Sequence, residues 1–486
     1  MISLQKIGEQ LLYDPKNPLL FNSGFFLYFL FFFLLLYYAV RKSKTARVAV
    51  FTAFSLYFFY KACGRFVGLV MLSAIIDFFL SNAIYRQQHK GRRKALLITS
   101  IVLNLGLLFY FKYTNFFIQL LNDLSGGHLH PLNLILPIGI SFYTFENLSY
   151  TIDVYRGEFK PVKSFLDYLF FLSFFPKLVM GPIVRASDFI PQIAKPYTVS
   201  NADFAKGFYL IAGGLFKKIV ISDYINVNFV QYFFEDPSLH SGIECLVAVY
   251  GYALVIYCDF SGYSDMAIGI ARWTGFRLPV NFLSPYQSAS ITEFWRRWHI
   301  SLSSWLRDYL YIPLGGNRKG RVRTYINLFL TMLLGGFWHG ASWNFIIWGG
   351  LHGGMLAVDK KLRGYWRPSG VFWKAAGVLF TFHFVCFCWI FFRAETLADS
   401  GVMIKQIFTN FNATAAGALW QGYTGVFYLM LLGFALHALP DSWLNRLSLR
   451  TENWGMAYYV AGFLLLLFVC LQMKTAQQVM PVYLQF

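Results

Sequence analysis

Residues 66–84 read FVGLVMLSAIIDFFLSNAI, an apolar run close to the roughly 20 residues a helix needs to cross a hydrocarbon layer. Comparable runs recur from residue 25 to residue 471, separated by short connectors rich in Lys and Arg. Backbone groups in lipid must find partners within their own segment, so such a chain folds as a bundle of membrane helices. Only 13% of the residues are charged and 57% are hydrophobic, whereas a soluble domain carries about a quarter charged residues. The fold class expected is therefore an all-α polytopic membrane protein.

The charge distribution orients the bundle. Lys and Arg (42) outnumber Asp and Glu (23), and the excess lies in connectors such as Arg41, Lys42, Lys44, Arg47 and Arg86, Lys90, Arg92, Arg93, Lys94. The positive-inside rule makes these connectors cytoplasmic and the N-terminus exterior, and no nucleic-acid partner is needed to explain the net charge. The first apolar run begins near Gly24 after a polar lead and lacks a small-residue cleavage site, so it is expected to remain as the first membrane helix. Run lengths give about eleven to thirteen transmembrane or re-entrant segments. Pro176, Gly181 and Pro182 interrupt one of them, which predicts a broken or re-entrant helix beside a protein-lined cavity. With no internal repeat and no linker, residues 1–486 read as one membrane-embedded domain.

The six cysteines lie in or beside apolar runs without CxxC or Cys/His zinc spacing and read as small core hydrophobes. His128 and His130 have no third ligand nearby, so no metal is expected.

Residues 279–350 carry the chemistry. His299 and His339 stand at the edge of and inside strongly apolar sequence, where an ionisable group is costly enough to imply function. At about 100° per residue, Trp295, Trp298, Leu302, Trp305, Leu306 and Tyr309 share one helical stripe, with Arg296, Ser303, Ser304 and Arg307 opposite. This predicts a continuous interfacial amphipathic helix with His299 at its apolar margin. His339 lies in LLGGFWHGASW, where Gly335, Gly336 and Gly340 would let backbone or ligand approach closely. An apolar setting favours the neutral imidazole that a general base requires. His352 reads as structural. Asp259 and Asp265 either pair with a base such as Arg272 or line a cavity. Arg296, Arg297, Arg307, Arg318, Lys319, Arg321 and Arg323 form a basic patch suited to a phosphate-bearing donor, an acidic carrier protein or anionic lipid. No HxxxxD, GxSxG or P-loop motif occurs.

FWRRWHISLSSWLRDYLYIPLGGNRKG, GGFWHGASWNFIIWGGLHG, YCDFSGYSDMAIGIA and FFPKLVMGPIVRASDFIPQI together resemble the membrane-bound O-acyltransferase family, in its alginate O-acetyltransferase branch. The motif-bearing core spans about residues 134–357, flanked by helices within 24–121 and 372–474. The resemblance implies a helical ring around a central funnel, with the acyl donor entering from the cytoplasm and the acceptor from outside. It implies His339 and His299 as the catalytic pair, with Arg296, Trp298, Arg307, Asp308 and Trp338 as neighbouring substrate-binding candidates. His339 would be the base, and His299 would orient the donor or hold an oxyanion. The expected function is transfer of an acyl group, acetyl above all, from a cytoplasmic thioester to an extracytoplasmic polysaccharide at a bacterial plasma membrane. No bound cofactor is expected; the donor would be acetyl-coenzyme A, and an exterior SGNH-type acetyltransferase would be the partner. The competing readings are D-alanyl transfer from a carrier protein to a cell-wall polymer, and a transporter or flippase of polysaccharide intermediates.

Overall fold

The structure is a computed structural model that describes residues 4–362, 370–440, 442–475 and 479–484. It is helical throughout, with no strand among the described residues. Five helical stretches are long and apolar enough to cross a membrane: Lys44–Arg86, Lys90–Lys112, Gly242–Trp273, Val371–Arg393 and Met456–Met473. A sixth arises if Ala415–Gly422 and Thr424–Ala438, bent by 88°, count as one span. The remaining apolar runs form shorter helices such as Gly24–Ala39, or helices interrupted by turns. Large apolar side chains such as Phe31, Phe32, Leu464, Leu465 and Phe468 stand exposed on these helices, as lipid-facing positions do.

The chain forms two compact units, Met1–Gly207 with Met266–Pro279, and Phe208–Asp265 with Val280–Phe486. In the first, buried polar groups join helices across sequence. Asp77 accepts hydrogen bonds from Ser100 Oγ (2.5 Å), Asn104 Nδ2 (2.7 Å) and Thr151 Oγ1 (3.3 Å), tying Val67–Arg86 to Lys90–Lys112 and Ile140–Arg156. Three donors on one carboxylate satisfy it without a cation, which makes the network an interhelical lock. The interruption expected at Pro176, Gly181 and Pro182 is present: Phe165–Ser173 and the single turn Phe175–Leu178 give way to irregular backbone, all of it buried. There Glu146 pairs with Lys177 and accepts the Val184 N–H at 3.2 Å, so the irregular backbone is anchored by protein.

In the second unit, Arg321–His339 and Trp343–Leu362 form a tight helical hairpin. A Cβ at Gly336 would lie 2.3 Å from the Phe345 carbonyl oxygen and 2.8 Å from Gly349 Cα. A Cβ at Gly340 would fall inside the Phe345 ring, 2.0 Å from its nearest atom. Gly336 therefore brings two backbones together, as small residues do between membrane helices, and Gly340 makes room for the Phe345 ring.

Candidate active site

The helix expected through 295–309 is broken at its middle. Ile291–Arg297 is capped by Ser290, whose hydroxyl accepts the Glu293 N–H, and it ends at Trp298. His299 then adopts φ 44° and ψ 54°, and Ile300–Leu306 starts anew from it. Left-handed backbone at a bulky non-glycine residue costs roughly 1–3 kcal/mol and persists only where its surroundings enforce it. The break turns His299 from the helix margin into the interior, where it is fully buried.

Asn281 is the enforcing neighbour. Its carbonyl accepts Ile300 N–H at 3.0 Å, and its side-chain Oδ1 accepts Ser301 N–H (3.2 Å) and Ser301 Oγ (2.9 Å). Its Nδ2 donates to Ser264 Oγ at 3.2 Å, on the helix Gly242–Trp273. The same Oδ1 lies 3.2 Å from His299 Nδ1. An oxygen that already accepts a backbone N–H is an acceptor, so Nδ1 carries the imidazole proton and Nε2 carries the lone pair. Among the described residues Nε2 is buried without a hydrogen-bond partner. The ring is walled by Phe260, 4.6 Å away between centroids, and lies outside the long apolar spans. Burial pushes its pKa down to about 3.

His339 ends the helix Arg321–His339 and is enclosed by Trp338, Trp348 and Phe392, with ring centroids at 4.9, 5.1 and 5.4 Å. Forty residues apart in sequence, the two histidines converge on one aromatic ring. Tyr483, in the short turn Val482–Leu484, stands 5.3 Å from His339 and 6.0 Å from His299, and packs on Phe260 at 4.3 Å.

The other candidates are dispersed. Trp338 touches His339, but Trp298 is core, enclosed by Phe282, Phe294 and Trp389. Arg296 is exposed. Arg307 is 62% exposed and grips its neighbour Asp308 through Nε–Oδ1 (2.7 Å) and Nη2–Oδ2 (3.1 Å), so its fork is occupied. Arg318, Lys319, Arg321 and Arg323 are exposed as a basic surface. His352 accepts the Trp295 indole N–H at 3.3 Å and serves the core, while His128 and His130 are exposed. Arg272 pairs with Asp203; the partner of Asp259 is Lys218 (2.6 Å) and that of Asp265 is Lys217 (2.7 Å). A cavity of about 1130 Å³ lies among Ser290, Met355, Asp359, Lys374 and Phe380, and neither His299 nor His339 is on its wall.

Sequence reasoning missed Asn281, Lys218 and Tyr483. Lys218 had a signal, a charged doublet inside the apolar run FKKIVISD. Tyr483 had none, because its role depends on where a six-residue segment returns.

The helical membrane bundle brings two buried imidazoles against one aromatic ring, an arrangement of ionisable groups that is costly in a membrane protein. The chain belongs to the membrane-bound O-acyltransferase family, whose model matches residues 18–398, and it is accordingly an O-acyltransferase that passes the membrane several times. It is 37% identical to the peptidoglycan O-acetyltransferase of Helicobacter pylori over 80% of this chain and 79% of that protein. It is 40% identical to the probable alginate O-acetylase of Azotobacter vinelandii over 80% and 78% of the two chains. The teichoic acid D-alanyltransferase of Bacillus subtilis is 32% identical over 55% of this chain and 71% of its own.

Proposed function

We propose that this protein transfers acetyl groups from acetyl-coenzyme A on the cytoplasmic side, across the bacterial inner membrane, for O-acetylation of an extracytoplasmic polysaccharide. The observation that carries the reading is the convergence of His299 and His339 on the Tyr483 ring, in a chain about 40% identical to a probable alginate O-acetylase over four-fifths of its length. The exposed basic cluster 318–323 suits the phosphates of the donor. The weaker and shorter match to the D-alanyltransferase ranks that chemistry second.

In the proposed step His339 takes the proton of an acceptor hydroxyl as its oxygen attacks the thioester carbonyl. The tetrahedral intermediate collapses with cleavage of the C–S bond, and the imidazolium returns the proton to the thiolate. His299 offers a lone pair at Nε2 and no N–H there, so it holds a hydroxyl or thiol proton in line. That tautomer does not hold an oxyanion, which needs a donor. An exterior SGNH-type acetyltransferase completes delivery to the glycan.

The experiment is incorporation of label from radiolabelled acetyl-coenzyme A into oligosaccharide, by reconstituted protein with and without that partner. Acetylated product supports the reading. Label transferred only from a D-alanyl carrier replaces it with the second chemistry, and movement of unmodified glycan with no transfer replaces it with a transporter.

A further inference from the structure

A buried ion cluster reaches the histidine pair through one residue. Lys218 Nζ stands 2.7 Å from Asp223 Oδ1 and 2.6 Å from Asp259 Oδ1, with all three side chains buried. The second oxygen of Asp259 turns the other way, where its Oδ2 accepts the backbone N–H of Val482 at 2.7 Å. The next residue is Tyr483, whose ring lies between His299 and His339. A charge-assisted hydrogen bond to a backbone N–H is short and directional, and here it holds a segment, 479–484, whose only regular structure is one turn. Lys218 and Asp259 form a buried ion pair, which holds the Asp259 carboxylate in place.

We propose that Asp259 is a positioning residue for acyl transfer: through Val482 N–H it seats Tyr483 between the two histidines, so that the C-terminal segment is a wall of the reaction site. This rests on the histidine pair being the reacting centre. The ring occupies space that water would fill, and water is a competing acceptor that converts the thioester to acetate and free thiol. A seated segment therefore favours transfer over hydrolysis.

Val482→Pro removes the one N–H and leaves Lys218, Asp223 and Asp259 unsubstituted, and Val482→Ala keeps it. Limited proteolysis read by mass spectrometry is expected to spare 479–484 in the parent and in Val482→Ala, and to cut within 479–484 in Val482→Pro. Acetyl transfer to glycan is expected to fall roughly a hundredfold in Val482→Pro, the cost of misplacing a reacting group by about an ångström, with donor KM unchanged and hydrolysis favoured. In a Tyr483→Ala background the same proline is expected to add no further loss. Equal protease protection in parent and proline variant, or an equal further loss on Tyr483→Ala, would overturn the proposal. The protection readout needs no activity, so a parent that transfers no acetyl would refute the acyl-transfer reading while the anchor is still decided.

Discussion

Asn281 Oδ1 lies 3.2 Å from His299 Nδ1 and fixes which imidazole nitrogen carries the proton. The same amide bonds Ser301 and Ser264, so one side chain sets the tautomer, the left-handed turn and the contact to the neighbouring helix. Orienting partners of this kind are worth about 10- to 100-fold in activity. Asn281→Ala is expected to lose that much transfer while His299→Ala/Asn281→Ala is no worse than His299→Ala alone. Rates of the four proteins in one assay check it, and additive losses would separate Asn281 from His299.

His299 titrates well below an ordinary imidazole because it is buried. The folded protein therefore refuses a proton that the unfolded chain takes up below its ordinary value of 6.5. Its contribution to stability is complete above that pH and is lost as pH falls toward about 3. His299→Gln, neutral at every pH, is expected to flatten part of the acid decline. Melting temperatures in detergent from about pH 7.5 to about pH 4.5 compare the two.

Lys218 is a buried cation that bridges two carboxylates. Lys218→Met removes the cation from both carboxylates and is expected to cost about 3–5 kcal/mol, seen as loss of folded protein. Thermal unfolding of the purified variant measures it, and a parent-like transition would mean that the Lys218 pairs do not contribute to stability.

Gly336 and Gly349 let the hairpin Arg321–His339/Trp343–Leu362 close to backbone contact. Gly336→Val forces the helices apart and is expected to cost about 1–3 kcal/mol and to displace His339, three residues on. Transfer per folded molecule then falls together with the melting temperature.

The membrane class, the interruption near Pro176 and the burial of His299 and His339 were legible because each depends on local chemistry: run length, proline geometry, an ionisable group among apolar residues. The break at His299 was not, since periodicity through Trp295, Trp298, Leu302 and Trp305 continues smoothly across a residue whose left-handed turn is imposed by Asn281, 18 positions earlier. Glycines beside His339 read equally as ligand access or helix contact, and only Phe345 and Gly349 on the facing helix decide for contact. The same holds for Asp259, whose partner is 41 residues away at Lys218 and not the nearby Arg272. Tyr483 depends on long-range return of the chain, which no window of sequence encodes.

The most direct test of the account is single-turnover acetyl transfer from acetyl-coenzyme A by the parent and His339→Ala at equal folded abundance. Loss of about 10²- to 10⁴-fold in the variant, with donor binding retained, is the result predicted for a general base. Equal rates in the two proteins would contradict the catalytic role of His339 and, with it, the assignment of the reacting centre.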